Sequence, residues 1–294
     1  PLPLYRNESE VEADIGNGED QARLTGLYTD EALRFIKEAD GPFFLYLPHT
    51  FPHQPLYASA AFKNGSKAGR FGDAVEEIDW SVGRIVDLLR KRKIEENTLV
   101  IFTSDNGPWY EGSPGIFRGR KGQSLEGGFR VPFIARWPAR IPSNAVCKAA
   151  AMNLDLYPTL FELAGLKLPE DRTIDGRNML GLLTGADDRD THEAFYFYHY
   201  DQLEAVRVGK WKYYRRVNRY TWPIPLDAAK IPNQLGKKQI GDRWPLLYDL
   251  ELDPAESYNL RKTLPNVAAQ MDKRLQSWEK ANQSNPRGFA GDRM

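Results

Sequence analysis

The sequence lacks most of the residues that would make several functions obvious. One cysteine, Cys147, among 294 residues excludes an internal disulfide. Charge of one sign is also missing, since 40 Lys and Arg stand against 40 Asp and Glu, so nothing electrostatic points to nucleic acid or an anionic membrane as the main partner. No apolar run reaches the roughly 18 residues of a membrane span. Internal repeats and the phosphate-loop pattern G-x-x-x-x-G-K-[ST] are absent too. What is present is 41% hydrophobic and 12% aromatic, the make-up of a globular chain long enough for two domains.

The chain opens Pro1-Leu2-Pro3-Leu4-Tyr5, with neither Met nor a leader, so an upstream portion is expected and compartment is not legible there. Residues 1 to 27 carry Glu8, Glu10, Glu12, Asp14, Glu19 and Asp20 and read as an extended acidic surface segment. Thr29 is placed to cap a helix with Ala32, Leu33, Phe35 and Ile36 on one face, ended by Gly41-Pro42. Phe43 to Leu47 reads as a strand buried on both faces. Phe71, Ala74, Val75, Ile78, Val82, Ile85 and Leu89 recur at helical spacing, and Thr98 to Phe102 and Val131 to Ala135 follow as further strands. Strand, helix, strand with so long a connection predicts parallel pairing and an α/β sheet flanked by helices. From residue 194 short alternating segments predict a small antiparallel sheet, closed by a helix from about Pro265. The expected domains are therefore 1–193 and 194–294.

In an open α/β sheet, ligands bind beyond the carboxyl ends of the strands. Three loops leave such ends. Pro48-His49-Thr50-Phe51-Pro52-His53-Gln54-Pro55 holds two of the four histidines between prolines, as a general acid requires, although a proline turn explains it equally. Ser104-Asp105-Asn106-Gly107 offers two hard oxygen donors to Ca²⁺ or Mg²⁺, yet is also ordinary turn chemistry. Residues 115 to 130 interleave Arg118, Arg120 and Lys121 with glycines, a pattern that can hold an oxyanion or merely be a solvated loop. Together they describe a metal-assisted site for an anionic ester.

On these stretches the chain resembles a known family. FFLYLPHTFPHQPL, FGDAVEEIDWSVGRIVDLL, LVIFTSDNGP, GRKGQSLEGGFRVPFIARWP, DLYPTLFELAGL with IDG at 174 to 176, and LYDLELDPAESYNL are similar, in order and spacing, to the carboxyl-terminal part of sulfatases of the arylsulfatase A type, in the alkaline phosphatase superfamily. The resemblance covers residues 26 to 262. It implies an alkaline-phosphatase-like fold and hydrolysis of sulfate monoesters, with a sulfated small molecule or glycan as substrate. It also implies that Asp105 and Asn106 are metal ligands, normally for Ca²⁺, that His53 donates a proton to the leaving oxygen, and that Lys121 binds the sulfate. A periplasmic or secreted location, lysosomal in a eukaryote, goes with it.

The family's nucleophile, a formylglycine made in a C/S-x-P-S-R motif, has no counterpart in these 294 residues, and Cys147 lies in the unrelated context Asn144-Ala145-Val146-Cys147-Lys148. A phosphate or phosphonate ester hydrolase of the same superfamily is the alternative reading, and a non-catalytic binding module the expectation if the native chain starts at Pro1. His49 reads as a loop residue and His199 as a packed or edge residue. Arg207, Lys210, Lys212, Arg215, Arg216 and Arg219 alternate with aromatics and read as cations snorkelling from strands. The segment Trp211 to Trp222 is a candidate wall for a sugar ring, and core packing explains it equally.

Overall fold

The computed structural model describes residues 2–217 and 245–284. The chain forms two compact units, one of Pro1–Val100 with Arg136–Ala139, the other of Ile101–Ala135 with Arg140–Met294.

The first unit opens with an antiparallel hairpin, β1 (Leu4–Arg6) and β2 (Ser9–Glu12), turning at Asn7 with φ 53°. The short helix α1 (Gly18–Gln21) follows, capped by Asn17 Oδ1, which accepts the N–H groups of Glu19 and Asp20. The acidic segment is thus more structured than expected, because its charges find local partners: Arg23 pairs with both Glu12 at 2.6 Å and Asp20 at 3.0 Å. Helix α2 (Leu24–Glu38) begins before the expected cap. Thr29 lies inside it, fully buried, with Oγ1 donating to Thr25 O and 2.6 Å from Ser81 Oγ on helix α3 (Gly69–Lys91). Packing of α2 against α3 buries Leu24 and Thr25, and that burial extends the helix past the local signal.

The apolar run Phe43 to Leu47 is not a strand. It has no ladder partner among the described residues, and Phe44 and Tyr46 are 66% and 76% exposed. An apolar run becomes a buried strand only where neighbours cover both faces.

The second unit holds most of β3 (Val100–Thr103) and β4 (Phe133–Arg136), which pair with each other, and the short helix α4 (Glu126–Phe129) between them in sequence. Helix α5 (Leu156–Leu163) is ended at Gly165, and α6 (Leu180–Thr184) follows. The buried Asp155 ties these parts together. Its carboxylate accepts the N–H groups of Met152 and Arg177, the Thr191 hydroxyl and His192 Nε2, all at 2.7–2.9 Å. Gly176 of the I-D-G stretch has to be glycine, since a Cβ there would lie 2.0 Å from Leu154 O.

Strands β5 (Phe195–His199), β6 (Gln202–Val208), β7 (Trp211–Tyr214) and β8 (Leu246–Asp249) form an antiparallel sheet in sequence order. One face, with Leu203, Val206, Tyr213 and Leu247, packs on Ala268, Met271 and Leu275 of the terminal helix α7 (Pro265–Ser284). The other face, with Phe197, Ala205, Tyr214 and Tyr248, packs on Leu125 of the glycine-rich loop. Of the proposed Trp211 to Trp222 wall, Arg219, Tyr220 and Trp222 lie outside the described residues.

Candidate functional site

The loop with His53 belongs to the first unit, and the backbone that follows it is held by two buried acids of α3. Glu77 accepts the N–H of Ser59 at 2.9 Å, and Asp73 accepts those of Ser66, Asn64 and Gly65 at 2.9–3.1 Å. These N–H donors, that of Ser66 first, draw the Asp73 carboxyl below its ordinary range. The apolar periodicity of this helix gives no sign of either acid's burial. The exposed His53 has Nδ1 2.8 Å from Gln54 O. A carbonyl can only accept, so Nδ1 carries the hydrogen and Nε2 is the nitrogen open to a further proton. His49 differs: its Nδ1 is buried without a hydrogen-bond partner, and burial lowers its pKa.

Asp105, Asn106 and Lys121 lie in the second unit, on two loops joined by their backbones. Gly107 N donates to Gly128 O at 2.9 Å and Lys121 N to Pro108 O at 3.0 Å. A Cβ on Gly107 would stand 2.0 Å from Gly127 O, so the loops touch backbone to backbone. Asn153 Nδ2 holds Ser104 O at 2.9 Å from below the pair. Asp105 is exposed, and Asn106 spends its amide nitrogen on Gly107 O at 3.2 Å, which commits its carbonyl oxygen to other partners. Two oxygens of this kind suit a hard cation, which takes about six to eight. Among the described residues no group of three or more His, Cys, Asp or Glu could hold a metal alone, so this pair fits as part of a larger shell.

The three cations of the glycine loop have different employment. Arg118 donates to Glu256 O at 3.0 Å. Arg120 donates to Trp109 O and Gly112 O, both at 2.8 Å, and lies over the Tyr110 ring. The side chain of Lys121, a half-buried residue, has no hydrogen-bond or ion-pair partner among the described residues. The sequence treated the three alike; the structure sets Arg118 and Arg120 to holding the loop and leaves the Lys121 side chain without a partner among the described residues.

Beneath this loop is a buried charge network. Lys212 does not snorkel. It is fully buried, with Nζ 2.9 Å from Ser124 O, 2.7 Å from Glu126 Oε1 and 3.7 Å from Glu256 Oε1, over the ring of Phe197. Glu256 accepts the Glu126 N–H at 2.8 Å and the hydroxyl of Tyr214. Burial pushes the Glu126 carboxyl up, but Lys212, Arg207 and Arg130 outweigh it and hold it below the usual range. At Glu256 burial wins, and the neighbouring Glu126 charge adds to it, so that carboxyl is raised. Strand alternation carries no sign of this arrangement. The only hint is a lysine set between aromatic residues, Trp211 and Tyr213, on its own strand. A cavity of about 420 Å³ lined by Arg177, Asn178, Asp187 and Arg189 contains none of the predicted site residues, and Asp187 already occupies Arg189 at 2.8–2.9 Å.

Comparison with known proteins gives the following. The Sulfatase family model matches residues 5–166, and the model for the C-terminal part of N-sulphoglucosamine sulphohydrolase matches residues 115–281. The chain is 39% identical over 284 residues to N-acetylgalactosamine-6-sulfatase of Canis lupus familiaris, covering 88% of this chain and 53% of that protein. Among solved structures, it is similar to the PsFucS1 sulfatase from Pseudoalteromonas sp. with a TM-score of 0.81 and 26% identity, over 96% of this chain and 58% of that one. It is also similar to Ps i-CgsB in complex with k-i-k-neocarrahexaose, with a TM-score of 0.73 and 27% identity, over 94% and 57%. The chain spans about half the length of the curated relatives it matches.

Proposed function

The chain belongs to the sulfatase family of the alkaline-phosphatase-like superfamily, and from that premise we propose that the full-length protein hydrolyses a sulfate monoester, R–O–SO₃⁻ and water giving R–OH and hydrogen sulfate. The observation that carries this reading is Lys121, a cation without a partner among the described residues, on a loop whose backbone is bonded to the one bearing Asp105 and Asn106.

Sulfate ester cleavage builds negative charge on the leaving oxygen, so the barrier falls where cations and a proton donor face it. Lys121 supplies a fixed positive charge to the sulfate and the leaving oxygen. His53, protonated at Nε2, supplies the proton, with Nδ1 kept on Gln54 O to orient the ring. Asp105 and Asn106 would hold a Ca²⁺ or Mg²⁺ ion, which when bound polarises the sulfate oxygens. The nucleophile expected from the family, a formylglycine, comes from beyond these 294 residues, as do the remaining metal ligands. A sulfated glycan is the favoured substrate: the canine relative is named for an N-acetylgalactosamine sulfate, and a structural neighbour is complexed with a neocarrahexaose. A periplasmic or secreted location accompanies the family resemblance; among the described residues no helix is long and apolar enough to cross a membrane.

The test compares kcat/KM of the full-length protein on 4-nitrophenyl sulfate and 4-nitrophenyl phosphate. Preference for the sulfate supports the reading. Preference for the phosphate replaces it with the phosphoester alternative, and no turnover of either favours the non-catalytic module. Within the sulfatase reading, His53→Ala slows esters with poor leaving groups more than those with good ones; equal losses remove its acid role. Asp105→Ala that left both Ca²⁺ affinity and turnover intact would remove the metal assignment.

A further inference from the structure

Strands β5 and β6 are joined by two residues, Tyr200 and Asp201, between the paired His199 and Gln202. Tyr200 takes φ 52°, at the hairpin position normally given to Gly, Asn or Asp, where a bulky side chain is strained. Its ring is 84% exposed, and its hydroxyl has no hydrogen-bond partner among the described residues. The other tyrosines of this strand are engaged: Tyr196 stacks on Trp278 at 4.0 Å, and Tyr198 OH accepts the Trp278 indole N–H at 2.7 Å. Its ring contact is with the neighbouring His199, and the left-handed backbone alone does not call for an aromatic there.

Its location does. His199, immediately before it, is buried and donates from Nδ1 to Gly122 O at 3.0 Å, the carbonyl next to Lys121. The Tyr200 ring stands edge-on to the His199 imidazole at 4.7 Å. The hairpin tip is therefore hydrogen-bonded, through His199, to the loop that carries Lys121, and the residue after His199 presents an exposed aromatic ring. Strain in an exposed turn persists where the surrounding structure fixes it, and such positions concentrate at ligand clamps. We propose that Tyr200 is a specificity-determining residue, a platform on which the ring of a sulfated saccharide stacks while Lys121 takes the sulfate. An aromatic face with a polar edge suits a pyranose, whose C–H face is apolar and whose rim is hydroxylated. This inference rests on the sulfatase reading and deepens it by naming the contact for the alcohol part of the substrate.

The test uses the full-length protein and three variants. Tyr200→Gly removes the ring and fits the turn, Tyr200→Ala removes the ring and keeps the strain, and Tyr200→Phe keeps the ring. The probes are 4-nitrophenyl sulfate, a panel of sulfated galactose-type and N-acetylgalactosamine-type disaccharides, and the matching unsulfated disaccharides for calorimetric binding. Tyr200→Gly and Tyr200→Ala should both lower kcat/KM on the best disaccharide about tenfold, through KM, while Tyr200→Phe stays within about threefold of wild type. Turnover of the small aryl ester should change by less than about threefold in all of them, and unsulfated disaccharide binding should weaken with the ring. Equal losses on aryl and saccharide sulfates, no loss on either, or loss in Tyr200→Phe equal to that in Tyr200→Gly each overturn the platform. Wild-type turnover with disaccharide binding insensitive to Tyr200 discards the platform and keeps the sulfatase reading. Ring-dependent disaccharide binding without any wild-type turnover discards the reaction and leaves a saccharide contact.

Discussion

The glycine loop from 115 to 130 has an underside and a rim, and the two are built on opposite rules. On the underside every charge is answered: Glu126 by Lys212, Arg207 and Arg130, and Glu256 by Lys212, Tyr214 and a backbone N–H. On the rim Lys121 and Asp105 have no opposite charge on them among the described residues. Paired charges out of water fix geometry at little net gain, and removing one partner leaves the other stranded. Unpaired charges at a surface cost little stability and stay available to a ligand. Answered charges thus hold the underside of the loop, while its rim and the neighbouring Asp105 loop carry the charges proposed for the chemistry.

The sharpest way to break this contrast is Lys212→Met, which takes the 2.7 Å partner from Glu126 and leaves the buried Glu256 facing it without the lysine. A loss of about 3–5 kcal/mol of unfolding free energy is expected from urea melts, with activity lost in proportion to the unfolded fraction. Lys121→Ala should do the reverse, lowering kcat/KM on sulfate esters by about 10² to 10³ while moving Tm by less than about 1 °C. A Tm loss comparable to that of Lys212→Met would erase the distinction between the two sides. Gly107→Ala addresses the seam between the loops: the added methyl meets Gly127 O, and a loss of roughly 1–3 kcal/mol is expected, accompanied by weaker Ca²⁺ binding at Asp105 and Asn106. The smallest effect concerns pH. A carboxyl raised on folding, like Glu256, favours the native state below its ordinary pKa and penalises it as pH rises through the raised value. Glu126, lowered on folding, contributes in the opposite sense and is lost as pH falls through its depressed value. The Tm of Glu256→Gln minus that of wild type should therefore become more positive from about pH 4 to about pH 7, measured by calorimetry. A difference that stays flat or falls would mean that Glu256 is not raised.

Much of the fold was legible, and the underside of the glycine loop was not. The helix from Gly69 to Lys91, the strand before Asp105 and the four short strands from Phe195 announced themselves by periodicity, while loop chemistry singled out Asp105, Asn106 and Lys121 only as candidates. Lys212, Glu126, Asp73 and Glu77 were assigned to solvent or left unremarked because a charged side chain counts as an outside position in any periodic reading. Their burial depends on partners distant in sequence: Ser124 lies 88 residues before Lys212. The Phe43 to Leu47 segment failed in the other direction. Its composition promises a strand, but composition is silent on whether neighbours are there to pair with it.

The backbone contact between Gly107 and Gly127 has a consequence for how such a protein diversifies. Two loops that meet without side chains between them cannot change independently, since any residue larger than glycine in one displaces the other. New substrates must then be accommodated by parts that mutate one at a time. The tip of the β5–β6 hairpin is such a part: bonded to the loop through the His199 imidazole and exposed at its end, it can exchange its aromatic ring without disturbing the seam beneath.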